Sequence, residues 1–210
     1  MERTRYDILD GLRGVAALMV LLYHVFNDAK SFFVWPTPVN EFYHSFLGVD
    51  FFFILSGFVM GYAYDRQPKP IKGHVFLLCS LALAILLGFP SLGSKDANTI
   101  YQLVCILSFF PTIIWFGARG IVSGWRHKAV SFIGRLSYPL YATHFPLIYL
   151  YITWVGSDGH PYEGYSQPWV PALLTLVASV LIATLCLLFY DEPLRNWLNK
   201  KLHSTSRQYT

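Results

Sequence analysis

The chain has 210 residues, of which 54% are hydrophobic and only 13% charged, with a formal net charge of +4 and a mean hydropathy of +0.42. A water-soluble domain carries about a quarter charged residues, so this composition excludes an ordinary soluble globule and makes the lipid bilayer the expected partner. The positive balance does not point to nucleic acid, because the basic residues sit beside apolar runs rather than in one block.

A bilayer core about 30 Å thick requires roughly 20 mostly apolar residues per helix. Six segments meet or approach that length: residues 12–26, 46–64, 75–92, 100–117, 136–155 and 169–190. The first is short unless Arg13 reaches back to the interface, and Asp7, Asp10 and His24 argue against its being a cleaved leader. Pro90, Pro111, Pro139 and Pro146 fall in or near these spans, where neighbouring helices and hydroxyls can satisfy the freed carbonyls. The reading is one all-α membrane domain over residues 1–210, an integral helical bundle of about six transmembrane helices with both termini cytoplasmic.

The orientation follows from Lys and Arg. With the N-terminus inside, the inner side holds Arg3, Arg5, Arg13, Arg66, Lys69, Lys72, Arg119, Arg126, Lys128, Arg135, Arg195, Lys200, Lys201 and Arg207, against Lys30 and Lys95 outside, fourteen to two. That is the bias of the positive-inside rule. Cys79, Cys105 and Cys186 are widely spaced within apolar runs, so no disulfide framework and no metal site is expected.

Ionisable groups within a span are costly and mark function by default. Arg13 and His24 are eleven residues apart, which at about 100° per residue returns them to within roughly 20° of one face, about 16 Å apart along the axis. Asp10 lies about one turn before Arg13. Alone, such an arginine anchors at the interface and such a histidine serves packing; together they draw a polar stripe along most of the helix. Asp50 opens the second span at a depth near that of His24, where a carboxylate either orients an imidazole acting as general base or simply sits wet at the interface. In the fifth span His144, flanked by Tyr141 and Thr143, either lines a polar cavity or serves as a hydrogen-bond node. Asp191-Glu192-Pro193 reads as the end of the sixth helix, salt-bridged to Arg195. No H-E-x-x-H, phosphate-binding glycine loop or G-x-S-x-G elbow is present.

These stretches resemble the acyltransferase-3 family of membrane O-acyltransferases acting on surface polysaccharides. The resemblance is carried by Asp10-Gly11-Leu12-Arg13-Gly14-Val15-Ala16-Ala17 with Tyr23-His24, by Gly48 to Phe58, and by Phe132 to Tyr138, His144-Phe145-Pro146 and Glu192-Pro193. It implies a bacterial inner-membrane, multi-pass enzyme that moves an acyl group, acetyl in the simplest case, from acyl-CoA as cosubstrate to a saccharide or glycan hydroxyl, with no bound cofactor. It implies catalytic roles for His24 as base and Arg13 at the donor; depth alone gives Asp50 the orienting role, and Asp10, Tyr141 and His144 are cavity candidates from their places in the spans. Family members usually have about ten helices, so the middle of the usual protein is expected to be missing. The competing readings are a non-catalytic truncated member, a subunit of an oligomer or of a larger membrane complex, and a small transporter.

The six-span topology makes a direct prediction. Reporter fusions after Lys69 and after Lys128 report cytoplasm and one at Asp158 the opposite side; any reversal breaks the scheme.

Overall fold

The computed structural model describes residues 6–26, 44–62, 70–156 and 169–206. Of the basic residues counted above, Arg3, Arg5, Lys30, Arg66, Lys69 and Arg207 lie outside these segments. The described residues form α1 (Asp7–Phe26), α2 (Leu47–Tyr62), α3 (Val75–Leu87), α4 (Lys95–Val104), α5 (Phe110–Arg119), α6 (Trp125–Gly156), α7 (Trp169–Cys186) and α8 (Glu192–Ser206). Two π turns, Cys105–Phe109 and Leu187–Asp191, join α4 to α5 and α7 to α8. The result is an all-α protein of six continuous helices, and among the described residues the only β contact is an isolated bridge between Ile71 and Gly120.

Three stretches are long and apolar enough to cross a membrane: Asp7–Val25, Lys95–Arg119 and Leu173–Leu198. Leu47–Gly61 and Val75–Leu87 are apolar but shorter. Leu77, Leu81 and Ile85 on α3, Leu103 and Leu107 on the α4 side, and Leu174, Leu181 and Leu185 on α7 are all exposed. Such a continuous apolar exterior is costly in water and matches hydrocarbon.

The core is organised around α1. One face of it (Ile8, Leu9, Leu12, Ala16 and Met19) enters a cluster with Leu47, Phe51 and Leu55 of α2, Val75, Leu83 and Leu87 of α3, and Phe110 and Ile114 of α5. Another face (Ala17, Leu21 and Val25) packs with Leu140 and Ile148 of α6 and Ala183 of α7. Lipid tails are as apolar as leucine, so such helices associate through close packing at small residues. A Cβ on Gly14 would lie 2.4 Å from the carbonyl oxygen of Ile133, and one on Gly134 2.7 Å from the carbonyl carbon of Asp10. These two glycines face one another's helix and let the α1 and α6 backbones touch.

Several boundaries differ from the apolar segments. α1 begins at Asp7, so Asp7 and Asp10 occupy its first turn, where carboxylates favour the helix dipole. α6 begins at Trp125, well before residue 136, because Val130 and the Ile133–Gly134 step pack on α1 although Arg126, His127, Lys128 and Arg135 interrupt the apolar pattern. α3 stops at Leu87, capped by the Gly88 N–H donating to the Ala84 carbonyl, with Pro90 unable to continue the ladder. Its last carbonyls, and that of Phe89 just beyond, are taken by side chains: Tyr101 Oη donates to Leu86 O at 2.7 Å, Ser45 Oγ to Leu87 O at 2.9 Å, and His44 Nδ1 to Phe89 O at 2.9 Å.

The expected end of the sixth helix at Asp191-Glu192-Pro193 is corrected: the helix runs on to Ser206. The reason lies in the π turn. The Glu192 N–H donates to the Leu187 carbonyl five residues back, and this wider turn leaves room for the Pro193 ring, which has no N–H to give. The same device precedes Pro111, where the Phe110 N–H donates to the Cys105 carbonyl.

Gly134→Val is expected to destabilise the protein by about 1–3 kcal/mol through overpacking. Gly57→Ala, whose added Cβ meets open space, is expected to be neutral or slightly stabilising. Thermal unfolding in detergent micelles, followed by circular dichroism, separates the two.

Candidate active site

The α1–α6 contact fixes where the polar groups of α1 point. Arg13 forms an ion pair with Asp10 at 3.2 Å, both side chains about one third exposed (34% and 30%). Arg13 also borders a cavity of about 470 Å3 between α1, α2 and α6, lined by Val49, Phe52, Phe53, Ser56, Ser137, Tyr138 and Tyr141. A pair this exposed contributes little to stability, and among the described residues the Asp10 contact is the one hydrogen bond of the guanidinium. Ser137 is buried and turned away, its hydroxyl donating to Gly134 O at 2.6 Å.

Just over three turns further along α1, His24 meets α6 again. Its ring lies 5.4 Å from that of His144, centroid to centroid and tilted by 37°, and 5.5 Å from Phe145 edge to face. Tyr141 stands between the two ends, its ring 5.7 Å from His144 and 5.7 Å from Phe52. Arg13, Tyr141, His144 and His24 therefore follow one seam between α1 and α6.

His144 is 3% exposed. Its Nδ1 contacts two carbonyl oxygens of its own helix, Tyr141 at 2.8 Å and Leu140 at 3.0 Å. Carbonyls only accept, so Nδ1 carries the hydrogen. Among the described residues Nε2 is buried without a hydrogen-bond partner, and a charged ring there would lack compensation; the neutral ring thus presents Nε2 as a bare acceptor. Asp50 is half-buried in the first turn of α2. No hydrogen bond or ion pair between Asp50 and His24 is found among the described residues.

Sequence reasoning anticipated the Asp191–Arg195 pair but missed the longer ties that hold this seam. Arg135 pairs with Glu192, joining α6 to the start of α8, while Asp191 pairs with Arg195 one turn on, at 2.9 Å. His127 Nε2 lies 3.0 Å from Asp7 Oδ2, joining the first turns of α6 and α1. The partners are 57 and 120 positions apart, and only the position of Arg135 beside Gly134, at the edge of an apolar span, hinted at an internal role.

The fold and the seam define a helical membrane protein with an arginine and two histidines along its central helix contact. The chain belongs to the acyltransferase-3 family: residues 6–76 and 60–190 match its acyltransferase domain. It is also 44% identical over 63 residues to a curated protein of Rhizobium radiobacter called "Protein 2 in picA locus". That stretch covers 30% of this chain and 28% of the relative. No solved structure matches the chain.

The tautomer assigned to His144 is measurable. In 15N-histidine NMR its Nδ1 is expected to be protonated and its Nε2 to show the shift of an unprotonated ring nitrogen; the reverse pattern contradicts the assignment.

Proposed function

We propose that the protein is a membrane acyltransferase that moves an acyl group, acetyl in the simplest case, from acyl-CoA to a hydroxyl of a saccharide or surface glycan, with His24 as general base. The observation that carries this reading is the pair of imidazoles on the seam that also holds Arg13, in a member of an acyltransferase family. His24 takes the proton of the acceptor hydroxyl as its oxygen attacks the thioester carbonyl. Collapse of the tetrahedral adduct breaks the C–S bond, and the departing thiolate receives the proton from His24. Arg13, beside the cavity, holds an anionic or carbonyl group of the donor. The orienting role expected of Asp50 falls to His144, whose ring packs on His24 and whose own orientation is set by two carbonyls. Donor entry from the cytoplasm, multi-pass insertion in a bacterial inner membrane and a glycan acceptor belong to the same proposal.

The family match in two overlapping pieces favours a second reading, a member lacking its middle helices that works as a non-catalytic partner subunit. Turnover separates the two. The purified chain in liposomes transfers acyl groups from acyl-CoA if the first holds and is silent if the second does. Within the first reading, His24→Ala lowers kcat by about 10²–10⁴-fold, the usual contribution of a general base, with KM for the donor little changed. Arg13→Ala raises the donor KM. Undiminished transfer by His24→Ala removes the base from the mechanism.

A further inference from the structure

A second cavity, of about 810 Å3, opens among the start of α3, the segment 121–124 that links α5 to α6, and the first turns of α6. Its volume falls in the range of ligand sites, about 300–1,000 Å3. Neither Arg13 nor His24 lines it.

The cavity is chemically one-sided. Among the described residues Lys72, His74 and Arg126 line it, and no carboxylate does. Three arginines elsewhere carry carboxylate partners, in the Asp10–Arg13, Glu192–Arg135 and Asp191–Arg195 pairs. Among the described residues neither Lys72 nor Arg126 is in an ion pair; Arg126 instead lies 3.4 Å from Nδ1 of His74. The remaining wall is apolar, including Leu77, Ile121, Val122 and Trp125, and Leu77 and Trp125 are themselves exposed.

The frame is fixed by the main chain rather than by the basic side chains. Ile71 N–H donates to Arg119 O at 2.7 Å, and Ile121 N–H donates to Ile71 O at 3.1 Å. These bonds clamp Lys72 and His74 beside the α5–α6 link. The first turns of α3 and α6 both contribute to the wall, and the N-cap residue of α3, His74, makes no side-chain cap bond. The N-terminal ends of the α3 and α6 dipoles add to the positive potential already set by the side chains.

Unmatched cations beside an open apolar wall fit a phosphate carried on an amphiphile better than a small soluble anion, which would leave that wall wet. We infer that this cavity binds a phosphate group, that of an anionic phospholipid headgroup, with Lys72 and Arg126 on the phosphate and the acyl chains along Leu77 and Trp125. The site is independent of acyl transfer, so His24→Ala retains it.

The test uses the full chain in micelles mixed with phosphatidylglycerol and phosphatidylcholine, with retained lipid read by native mass spectrometry. The wild type is expected to retain phosphatidylglycerol preferentially. Lys72→Ala/Arg126→Ala weakens that retention roughly 30-fold, from the usual contribution of two basic groups to anionic lipid binding. Lys72→Arg/Arg126→Lys keeps it, which separates loss of charge from loss of fold. Lys200→Ala/Lys201→Ala, removing equal charge elsewhere, leaves it unchanged, and millimolar inorganic phosphate does not displace the lipid. Three results overturn the inference: equal retention by the Lys72/Arg126 double alanine variant, equal loss on removing Lys200 and Lys201, or displacement by inorganic phosphate, which makes the ligand a soluble anion.

Discussion

The backbone contact between α1 and α6 is the constraint on which the remaining structure depends. Gly14 stands against the Ile133 carbonyl and Gly134 against Asp10, so no side chain separates the helices at their crossing. In lipid, where apolar surface alone does not drive helices together, such contact is the available source of specificity. It sets the rotation of α1, and with it the direction of every polar group that helix carries. Arg13 and His24 both meet α6 because the crossing lies on their side of α1, and α2, α3 and α5 fill the opposite side.

The polar groups of the bundle are concentrated at its helix ends and along this one seam. At the N-terminal end of α1, Asp7 and Asp10 meet His127 and Arg13. Where α3 stops, His44, Ser45 and Tyr101 take carbonyls that the helix cannot. Buried hydroxyls follow the same economy, with Ser179 and Ser137 donating to carbonyls of their own helix. His144, like His44, departs from it: among the described residues half of its ring is satisfied by carbonyls and half is not. An unsatisfied buried acceptor is a cost, and at His144 it falls beside His24, the base proposed above.

The helical, lipid-facing character of the chain was legible in its composition, and the shared face of Arg13 and His24 in a spacing of eleven. Such inferences need only the period of a helix and the cost of burying charge. What lay hidden depended on distance along the chain. Nothing around His24 marks His144, 120 residues on, as the ring against it. The start of α6 was obscured because residues 125–135 look like a polar loop, yet Val130 and Gly134 pack on α1 while the charged neighbours reach Asp7 and Glu192. The end of the sixth helix was misread at Pro193 because an α-helical period gives no place for that ring, whereas a π turn does.

That π turn has a consequence for how the chain tolerates change. A loop absorbs an added or lost residue by altering its path. In the turn Leu187–Asp191 one residue more or less becomes a rotation of about 100° and a slide of about 1.5 Å for everything beyond it. Glu192 then leaves the sector facing Arg135, and Trp197 and Leu198 turn with it. The segment thus acts as an angular dial, and its residue count, more than its side chains, aims the C-terminal helix.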